Sequence, residues 1–504
     1  MFEDYLKMIL KAPVYDVARE TELELIPGVS RRTKHRVWLK REDTQPVFSY
    51  KLRGAYNMMS ALSEEERRCG VITASAGNHA QGVALSAQRL GVRALVLMPK
   101  TTPEIKVSAV RRLGAEVVLH GNTYDEAAEQ AHVLAREQGL TYVPPYDHPL
   151  VIAGQGTVAM EIMRQHPQPI HAIFVPVGGG GLIAGIAAYV KSLDPAVKII
   201  GVQAAECASM KAALAAGRRV TLEKIGIFAD GAAVKQVGEE PFRIAQECVD
   251  DVLTVSIDEI CAAVKDIFED TRSIAEPAGA LGLAGLKQYA SKHKTTGLDL
   301  VAILSGANVN FDRLRHIAEL AELGERRELL IGAIIPERPG SFRRFCHALG
   351  PRQITEFNYR YADTRRATVF AGVQLKPGDT DKVDLVQTLR ERGFEAIDIT
   401  DNEVAKMHIR YMVGGHGHGV AHERLMRVEF PERPGALLHF LNQLGDRWNI
   451  SLFHYRNHGA AYGRVLMGMQ VPPEQEREYA AFLAGLTVEH VEEKANPAYD
   501  LFLR

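Results

Sequence analysis

Three short segments of the sequence carry groups that could act together on a small anionic molecule. Lys51 supplies a primary amine, and a partly desolvated lysine can attack a carbonyl carbon to form a Schiff base. Residues 178–181 are consecutive glycines, and residues 75–78 read Ser-Ala-Gly-Asn. Turns of these types present backbone N–H groups to anions. Together the segments predict covalent catalysis by an amine, assisted by two anion-binding turns.

The neighbours of Lys51 decide how it is interpreted, because a single lysine is far more often a solvated surface residue than a nucleophile. The apolar residues Val47, Phe48 and Leu52 flank it at the expected start of a helix. Apolar surroundings remove an ammonium group from water and favour its neutral form. We therefore expect Lys51 to begin a helix with its amine partly desolvated.

The glycine run is predicted to bind a phosphate group. It lies between an apolar strand at 173–175 and the start of a helix, where side chains would block the approach of the backbone. A flexible turn is the plainer interpretation, but four glycines between two apolar elements disfavour it. The relaxed dinucleotide fingerprint, Gly179-x-Gly181-x-x-Ala184, is a rival. The predicted phosphate-binding residues are Gly178, Gly179, Gly180, Gly181 and Leu182.

The second turn is predicted to receive a carboxylate. It follows an apolar strand at 71–73 and precedes a helix, so its N–H groups are available to an anion. The adjacent His79 invites the role of general base, but a histidine beside such a turn is at least as often structural, and we do not include it. The residues of this turn are Ser75, Ala76, Gly77 and Asn78.

The elements that must position these residues alternate between short apolar strands and helices from about residue 70 to 310. Helical patterns at 83–90 and 105–113 end at Gly91 and Gly114, where left-handed caps are expected. This alternation predicts an open parallel α/β sheet, in which ligands bind at the carboxyl ends of the strands. Predicted strands are 71–73, 94–98, 116–119, 173–175, 198–202 and 301–304.

The last third of the chain contains an internal duplication. Residues 336–342 resemble 431–437, and residues 354–360 resemble 450–456 at nearly the same offset. Each copy reads as strand, turn, helix and strand, which predicts a small α+β unit. We place the boundary with the α/β part near residues 323–327. The His-containing run Gly414–Gly419 is interpreted as a linker between the copies, with no metal site.

Composition excludes several classes of protein. The 504 residues, 46% of them hydrophobic, suffice for two to four domains. A net charge of -2 gives no basic surface for nucleic acid or for a membrane, and no transmembrane span of about 20 apolar residues is present. Five cysteines without paired spacing and an N-terminus without a secretory signal favour reduced thiols in the cytoplasm.

The combined motifs resemble the fold-type II pyridoxal-phosphate (PLP) lyases, and within them the biosynthetic threonine deaminases. The resemblance covers nearly the whole chain. It implies a tryptophan synthase beta-like α/β catalytic domain at 1–322, followed by an α+β regulatory domain with two ACT-like repeats at 328–400 and 423–495. It implies PLP as the cofactor and a homotetrameric assembly.

The resemblance also implies residue roles. Lys51 would carry the cofactor as a Schiff base and remove the α-proton, and residues 178–182 would hold the cofactor phosphate. Asn78 would contact the phenolic oxygen and residues 75–78 the substrate carboxylate. Ser305 would face the pyridine nitrogen, and a neutral hydroxyl there favours β-elimination over transamination. A serine in a tight turn is the plainer interpretation of that position.

Two acidic residues, Asp230 and Glu276, lie in segments that resemble stretches near the substrate pocket of hydroxyamino-acid dehydratases. We derive no role for either, and a helix cap is the plainer interpretation.

The implied activity is deamination of L-threonine to 2-oxobutanoate and ammonia, with isoleucine as a feedback inhibitor and valine as an activator that opposes this inhibition. An L-serine dehydratase or another β-eliminating PLP lyase is the nearest alternative. An NAD-dependent dehydrogenase would use the glycine run, but it leaves residues 75–78 without a role. A non-enzymatic amino-acid sensor would need the repeats alone, without the Lys51 segment.

Overall fold

The computed structural model divides the chain into two compact units, Met1–Gly324 and Glu325–Arg504. In the portion of the chain that is described, no helix has the length and apolar character needed to cross a membrane. Described residues are 2–293, 295–311, 313–324, 328–361, 365–375, 380–402, 405, 409, 419–431, 436–456, 462–486 and 488–493.

The first unit alternates strands and helices. Its helices are α1 (Phe2–Lys11), α2 (Pro27–Thr33), α3 (Lys51–Ser60), α4 (Glu64–Cys69), α5 (Asn78–Leu90), α6 (Glu104–Arg112), α7 (Tyr124–Gln138), α8 (Pro149–Gln165), α9 (Gly181–Leu193), α10 (Ser209–Ala216), α11 (Glu239–Cys248), α12 (Ile257–Thr271), α13 (Pro277–Lys292) and α14 (Arg313–Gly324). Its strands are β1 (Leu23–Leu25), β2 (Arg36–Arg41), β3 (Val71–Ala74), β4 (Ala94–Met98), β5 (Glu116–Leu119), β6 (Thr141–Tyr142), β7 (Ala172–Pro176), β8 (Lys198–Ala204), β9 (Asp251–Val255) and β10 (Asp299–Leu304).

Two sheets organise the first unit. A six-stranded sheet has the order β1-β2-β10-β7-β8-β9 and is parallel except for β1. A four-stranded sheet has the order β5-β4-β3-β6 and is parallel throughout. Strands β3, β4, β7 and β10 are buried along their whole length, as expected for parallel strands covered on both faces. The predicted α/β architecture is confirmed.

Sequence patterns located β3, β4, β5, β7, β8 and β10 and missed β1, β2, β6 and β9. The strands predicted at 94–98 and 116–119 match β4 and β5, and the left-handed caps at Gly91 and Gly114 are present with φ of 66° and 86°. In β2 the short apolar run Val37–Leu39 is enclosed by Arg36 on one side and by Lys40 and Arg41 on the other, so the strand reads as a charged segment. Lys40 and Arg41 are buried in ion pairs, which periodicity cannot reveal.

The second unit is one eight-stranded antiparallel sheet, ordered β14-β11-β13-β12-β16-β17-β15-β18. Its strands are β11 (Glu328–Pro336), β12 (Ile354–Arg360), β13 (Arg366–Gln374), β14 (Glu395–Asp398), β15 (Glu423–Pro431), β16 (Asn449–Arg456), β17 (Tyr462–Gln470) and β18 (Glu489–Glu492). Its helices are α15 (Ser341–Leu349), α16 (Thr380–Glu391), α17 (Ala436–Leu444) and α18 (Glu476–Gly485).

The duplication read from the sequence appears as two copies of the same strand order. Each copy contributes four strands, and β12 pairs with β16 to join them, with Asn358 opposite His454. The repeated α+β architecture is therefore confirmed. Residues 325–327 of the expected boundary, 414–418 of the expected linker and 432–435 of the second turn lie outside the described residues.

Candidate active site

The predicted site segments meet at the carboxyl ends of strands in the first unit. Residues 75–77 follow β3, residues 177–180 follow β7, and Ser305 follows β10. The loop before Lys51 is tied to the end of β10, because Ser49 forms an isolated β-bridge with Gly306. The N–H of Tyr50 donates to the carbonyl of Ser305 at 3.3 Å. The fold thus brings the proposed nucleophile to the carboxyl ends of the strands of this sheet.

Lys51 is the first residue of α3, as predicted. Its Nζ donates to the carbonyl of Pro145 at 3.2 Å and lies 5.3 Å from the centroid of the Tyr50 ring. Burial lowers the pKa of Lys51 to about 8, although the charge of Glu276 raises it in opposition. Much of the amine is therefore neutral at mildly alkaline pH, as a nucleophilic lysine requires.

Phe48 does not supply the apolar cover expected of it. Its side chain is 55% exposed, and its backbone is left-handed with φ of 54°. This conformation is rare for a bulky residue and marks a strained turn. The loop is held by hydrogen bonds instead, because the Phe48 carbonyl accepts from the N–H of Ala307 at 2.9 Å. The other two apolar neighbours of Lys51, Val47 and Leu52, are buried as expected.

A buried network of charges anchors α3. The Arg53 guanidinium donates to Glu42 at 2.8 Å and to Glu161 at 2.6 Å, and Lys40 pairs with Glu161 at 2.6 Å. All four side chains are fully buried. Two cations balance two anions, so no net charge is left in the core. The network links β2, α3 and α8. Its member on α3, Arg53, lies two residues after Lys51.

The glycine loop leaves a row of backbone donors free. Among the described residues, none of the N–H groups of residues 178–182 donates to a protein acceptor. A Cβ at Gly179 would lie 2.3 Å from ring carbons of Tyr146, and Gly180 has φ of 99°. The glycines are thus required by packing as well as by backbone conformation. The free N–H groups at the start of α9 form a cradle that suits a phosphate.

The turn after β3 forms a second anion cradle. Within the described residues, the N–H groups of Ala76, Asn78 and His79 have no protein acceptor. The N–H of Gly77 is held by the Ser75 Oγ at 3.3 Å. Because these donors lie at the N-terminus of α5, the helix dipole adds to their attraction for a carboxylate.

Asn78 is held by two side chains that the sequence did not connect with it. Its Nδ2 donates to Glu276 Oε1 at 2.6 Å, and its Oδ1 accepts from Asn308 Nδ2 at 2.7 Å. Glu276 occupies the N-cap position of α13, yet its side chain caps no N–H and points to Asn78. Burial, with a smaller effect from Asp230, raises the pKa of Glu276 to about 7.

The remaining predicted residues have simple surroundings. Ser305 is buried, and its Oγ donates to the carbonyl of Ala278 at 3.4 Å. His79 bonds the carbonyl of Val143 through Nε2 at 2.9 Å, and burial, reinforced by Lys51, lowers its pKa to about 3. A neutral, buried imidazole of this kind is a structural group. Asp230 binds Lys106 at 2.8 Å at the surface.

This arrangement can hold an anionic, carbonyl-bearing cofactor and an anionic substrate at once. One amine with a lowered pKa lies in a site that has two separate anion cradles. A phosphate on one cradle and a carboxylate on the other would leave the amine free for imine chemistry. A hydride-transferring dinucleotide enzyme would have no use for the second cradle or the amine.

Comparison with known families agrees with this chemistry. The family described as "Pyridoxal-phosphate dependent enzyme" matches residues 14–306. The family described as "C-terminal regulatory domain of Threonine dehydratase" matches twice, at 319–409 and 414–503. The chain therefore contains a PLP-dependent catalytic part and two copies of a regulatory domain.

Full-length relatives carry the same arrangement. The chain is 56% identical over 503 residues to L-threonine dehydratase biosynthetic IlvA of Burkholderia multivorans, covering 99% of both chains. It is 53% identical to the enzyme of that name from Escherichia coli, covering 99% of this chain and 97% of the relative. The processed form of threonine deaminase isoform 2 from Solanum lycopersicum is structurally similar, with a TM-score of 0.63 and 52% identity, over 64% of this chain and 93% of that chain. The chain belongs to the PLP-dependent biosynthetic threonine dehydratase family.

Proposed function

We propose that this protein deaminates L-threonine to 2-oxobutanoate and ammonia, the first step of isoleucine biosynthesis, with L-serine as a poorer substrate. The observation that carries the proposal is the lowered pKa of Lys51 in a site with two anion cradles. Relatives that match the chain from end to end are named for the threonine reaction. A serine dehydratase remains the alternative, because serine differs from threonine by a single methyl group and would meet the same charged contacts.

Each residue of the site has a role in this proposal. PLP, when bound, supplies an aldehyde that condenses with amines and a ring that stabilises negative charge at the substrate α-carbon. Lys51 would hold the cofactor and move the α-proton, and the N–H groups of residues 178–182 would bind its phosphate. Asn78 and Ser305 would hold the ring at its phenolic oxygen and its nitrogen. Residues 75–78 would bind the substrate carboxylate.

The second unit is proposed to bind amino-acid effectors, with isoleucine as inhibitor and valine opposing it. We divide the chain into a catalytic domain at 1–322 and regulatory subdomains at 328–400 and 423–495. A groove between α15 and α17 is lined by Arg338, Arg343, Phe342 and Leu444, among others. Arginines suit a carboxylate and apolar side chains suit an aliphatic group, which supports a branched-chain amino acid as the ligand. Arg343 already pairs with Asp446 at 2.6 Å and the groove is narrow, so binding would require the groove to widen.

Opposite effects of two similar ligands require two conformational states. Isoleucine and valine differ by one methylene, worth only about 1–3 kcal/mol in an apolar pocket. We infer that isoleucine favours a state with low substrate affinity and valine the state with high affinity. The β12–β16 pairing between the repeats is the proposed element that changes. A homotetramer is proposed from the resemblance, and a cytoplasmic location is proposed from the unpaired spacing of the five cysteines in the sequence.

A direct test measures 2-oxoacid release from L-threonine and L-serine by the purified holoenzyme. Lys51→Ala should lower kcat with threonine by at least about 10²–10⁴-fold, because one amine both holds the cofactor and moves the proton. Lys7→Ala, which removes an exposed lysine on α1, is the matched control and should keep full activity. A higher kcat/KM for serine than for threonine would favour the serine dehydratase alternative, and an active Lys51→Ala enzyme would refute the role of Lys51.

A further inference from the structure

Asn308 lies at the point where three parts of the active site meet. It follows β10 by four residues, after Ser305. Its side-chain Nδ2 donates to the carbonyl of Val47 at 2.8 Å and to Asn78 Oδ1 at 2.7 Å. Its backbone N–H is hydrogen-bonded to the carboxylate of Glu276. One residue thus contacts the loop before Lys51, the turn after β3 and the start of α13.

These contacts fix the orientation of the Asn78 amide. A backbone carbonyl can only accept, so Val47 requires the Nδ2 of Asn308 to face it. The second hydrogen on the same nitrogen then requires an acceptor, and Asn78 must present its Oδ1. The Asn78 Nδ2 consequently faces Glu276, whose carboxylate accepts at 2.6 Å. Each bond determines the polarity of the next, which removes the usual ambiguity between the two amide orientations.

The Asn78 Nδ2 has one further hydrogen beyond the bond to Glu276. Under the proposed function, on which this step rests, that hydrogen faces the phenolic oxygen of PLP. If the Asn78 amide were reversed, its Oδ1 would face that oxygen and repel it. A donor at this position stabilises the phenolate form of the cofactor over the phenol form.

We propose that Asn308 is a positioning residue, which acts through Asn78 to keep a hydrogen-bond donor on the phenolic oxygen of PLP. The orientation of Asn308 is set in turn by the Val47 carbonyl, in the loop before Lys51. Asn308 therefore couples the position of the loop before Lys51 to which atom of the Asn78 amide, the donor Nδ2 or the acceptor Oδ1, faces the cofactor ring.

The test compares Asn308→Ala, Asn78→Ala and the double variant as holoenzymes. The readouts are the ratio of the phenolate and phenol absorption bands of bound PLP and the Kd of the apoenzyme for PLP. We expect Asn308→Ala to lower the phenolate share and to raise the Kd about threefold to tenfold, as for the loss of one hydrogen bond. In the Asn78→Ala background the same substitution should change both quantities less than about twofold, because its target is gone.

Asn57→Ala is the matched control for the loss of a hydrogen bond donated by a buried side-chain amide. Its Nδ2 donates to the carbonyl of Leu150 at 2.6 Å on the far part of α3. We expect this variant to lower the Tm of the apoenzyme and to keep the wild-type band ratio. If Asn308→Ala lowers the Tm in the same way and leaves the bands and the Kd unchanged, Asn308 is only structural and the inference is overturned.

The remaining outcomes separate this inference from the proposed function. If Asn78→Ala shifts the bands but Asn308→Ala does not, the role of Asn78 stands and that of Asn308 fails. Equal effects of Asn308→Ala in the wild-type background and in the Asn78→Ala background also overturn the inference on Asn308. If Asn78→Ala itself leaves the bands unchanged, the proposed role of Asn78 fails and the inference falls with it. Should Asn308→Ala not fold, Asn308→Asp, which keeps the size and removes both donors, is measured against the same criteria.

Discussion

The charge of Glu276 acts on Lys51 inside the site. Glu276 is buried and Lys51 is partly buried, and burial is the main cause of the raised pKa of Glu276 and of the lowered pKa of Lys51. The negative charge of Glu276 raises the pKa of Lys51 and so opposes part of the effect of burial. Desolvation alone would leave the amine neutral over a still wider range of pH. The carboxylate thus limits how far the amine is activated.

This coupling makes a prediction about pH. Glu276→Gln removes the charge that raises the pKa of Lys51, so that pKa should fall below about 8. Recombination of PLP with the apoenzyme needs the neutral amine, and its rate should rise with pH through the pKa of Lys51. The midpoint of the rate against pH should therefore shift to lower pH in the variant. The rate constant is measured by stopped-flow absorbance.

The window of this effect follows from the pKa of Glu276, about 7. Below that pH the wild-type carboxyl is mostly protonated, so the rates of the two proteins should differ least there. They should differ most between about pH 7 and about pH 8, because well above the pKa of Lys51 the amine is neutral in both proteins. PLP also titrates in this range, but it is the same in both experiments and cancels in the comparison. A midpoint that stays in place or moves to higher pH would contradict the assigned coupling.

At the scale of the element, the position of Lys51 depends on how α3 is anchored. The helix begins at Lys51, the proposed nucleophile, and two residues later Arg53 enters a network of fully buried charges with Glu42 and Glu161. Removing one member of a buried ion pair is strongly destabilising, because the remaining charge is then buried without compensation. The network therefore fixes α3 against β2 and α8.

Arg53→Met should lower the free energy of unfolding by about 3–5 kcal/mol, since it leaves Glu42 and Glu161 buried with only Lys40 to balance them. The measurement is urea denaturation of the apoenzyme. Arg93→Met is the matched control, because Arg93 pairs with Glu116 at 2.8 Å on an exposed surface. That pair should contribute no more than about 1 kcal/mol. Equal losses in the two variants would show that the network does not anchor α3.

At the scale of the whole molecule, the two units divide catalysis from regulation. The groove between α15 and α17 and the β12–β16 pairing lie wholly in the second unit. Sensitivity to isoleucine should therefore depend on residues after Gly324.

A chain ending after Gly324 should deaminate threonine and ignore isoleucine. The reason is that the proposed effector groove is deleted while the site residues remain. The assay compares the inhibition curves of the full-length and shortened enzymes at one threonine concentration, with light scattering to follow the assembly state of both. Inhibition of the shortened enzyme at the same isoleucine concentration would place the effector site in the catalytic part.

The sequence by itself determined the local features of this protein. Apolar runs located β4, β5, β7 and β10, and the turns after β3 and β7 were recognisable because glycines and small polar residues adopt them for local reasons. The duplication was visible because it repeats along the chain. The placement of Lys51 at the start of α3 followed from its immediate neighbours.

Only the tertiary structure decided which side chains surround those local features. Asn78 meets Glu276 and Asn308 across 198 and 230 positions of sequence, and no local pattern encodes such pairs. Strand β2 escaped prediction because its charges are neutralised by partners brought in by folding. The physical reason is that turn geometry and periodicity are short-range properties of the chain. Burial, which lowers the pKa of Lys51, and the hydrogen bonds that orient the Asn78 amide exist only once distant segments have packed together.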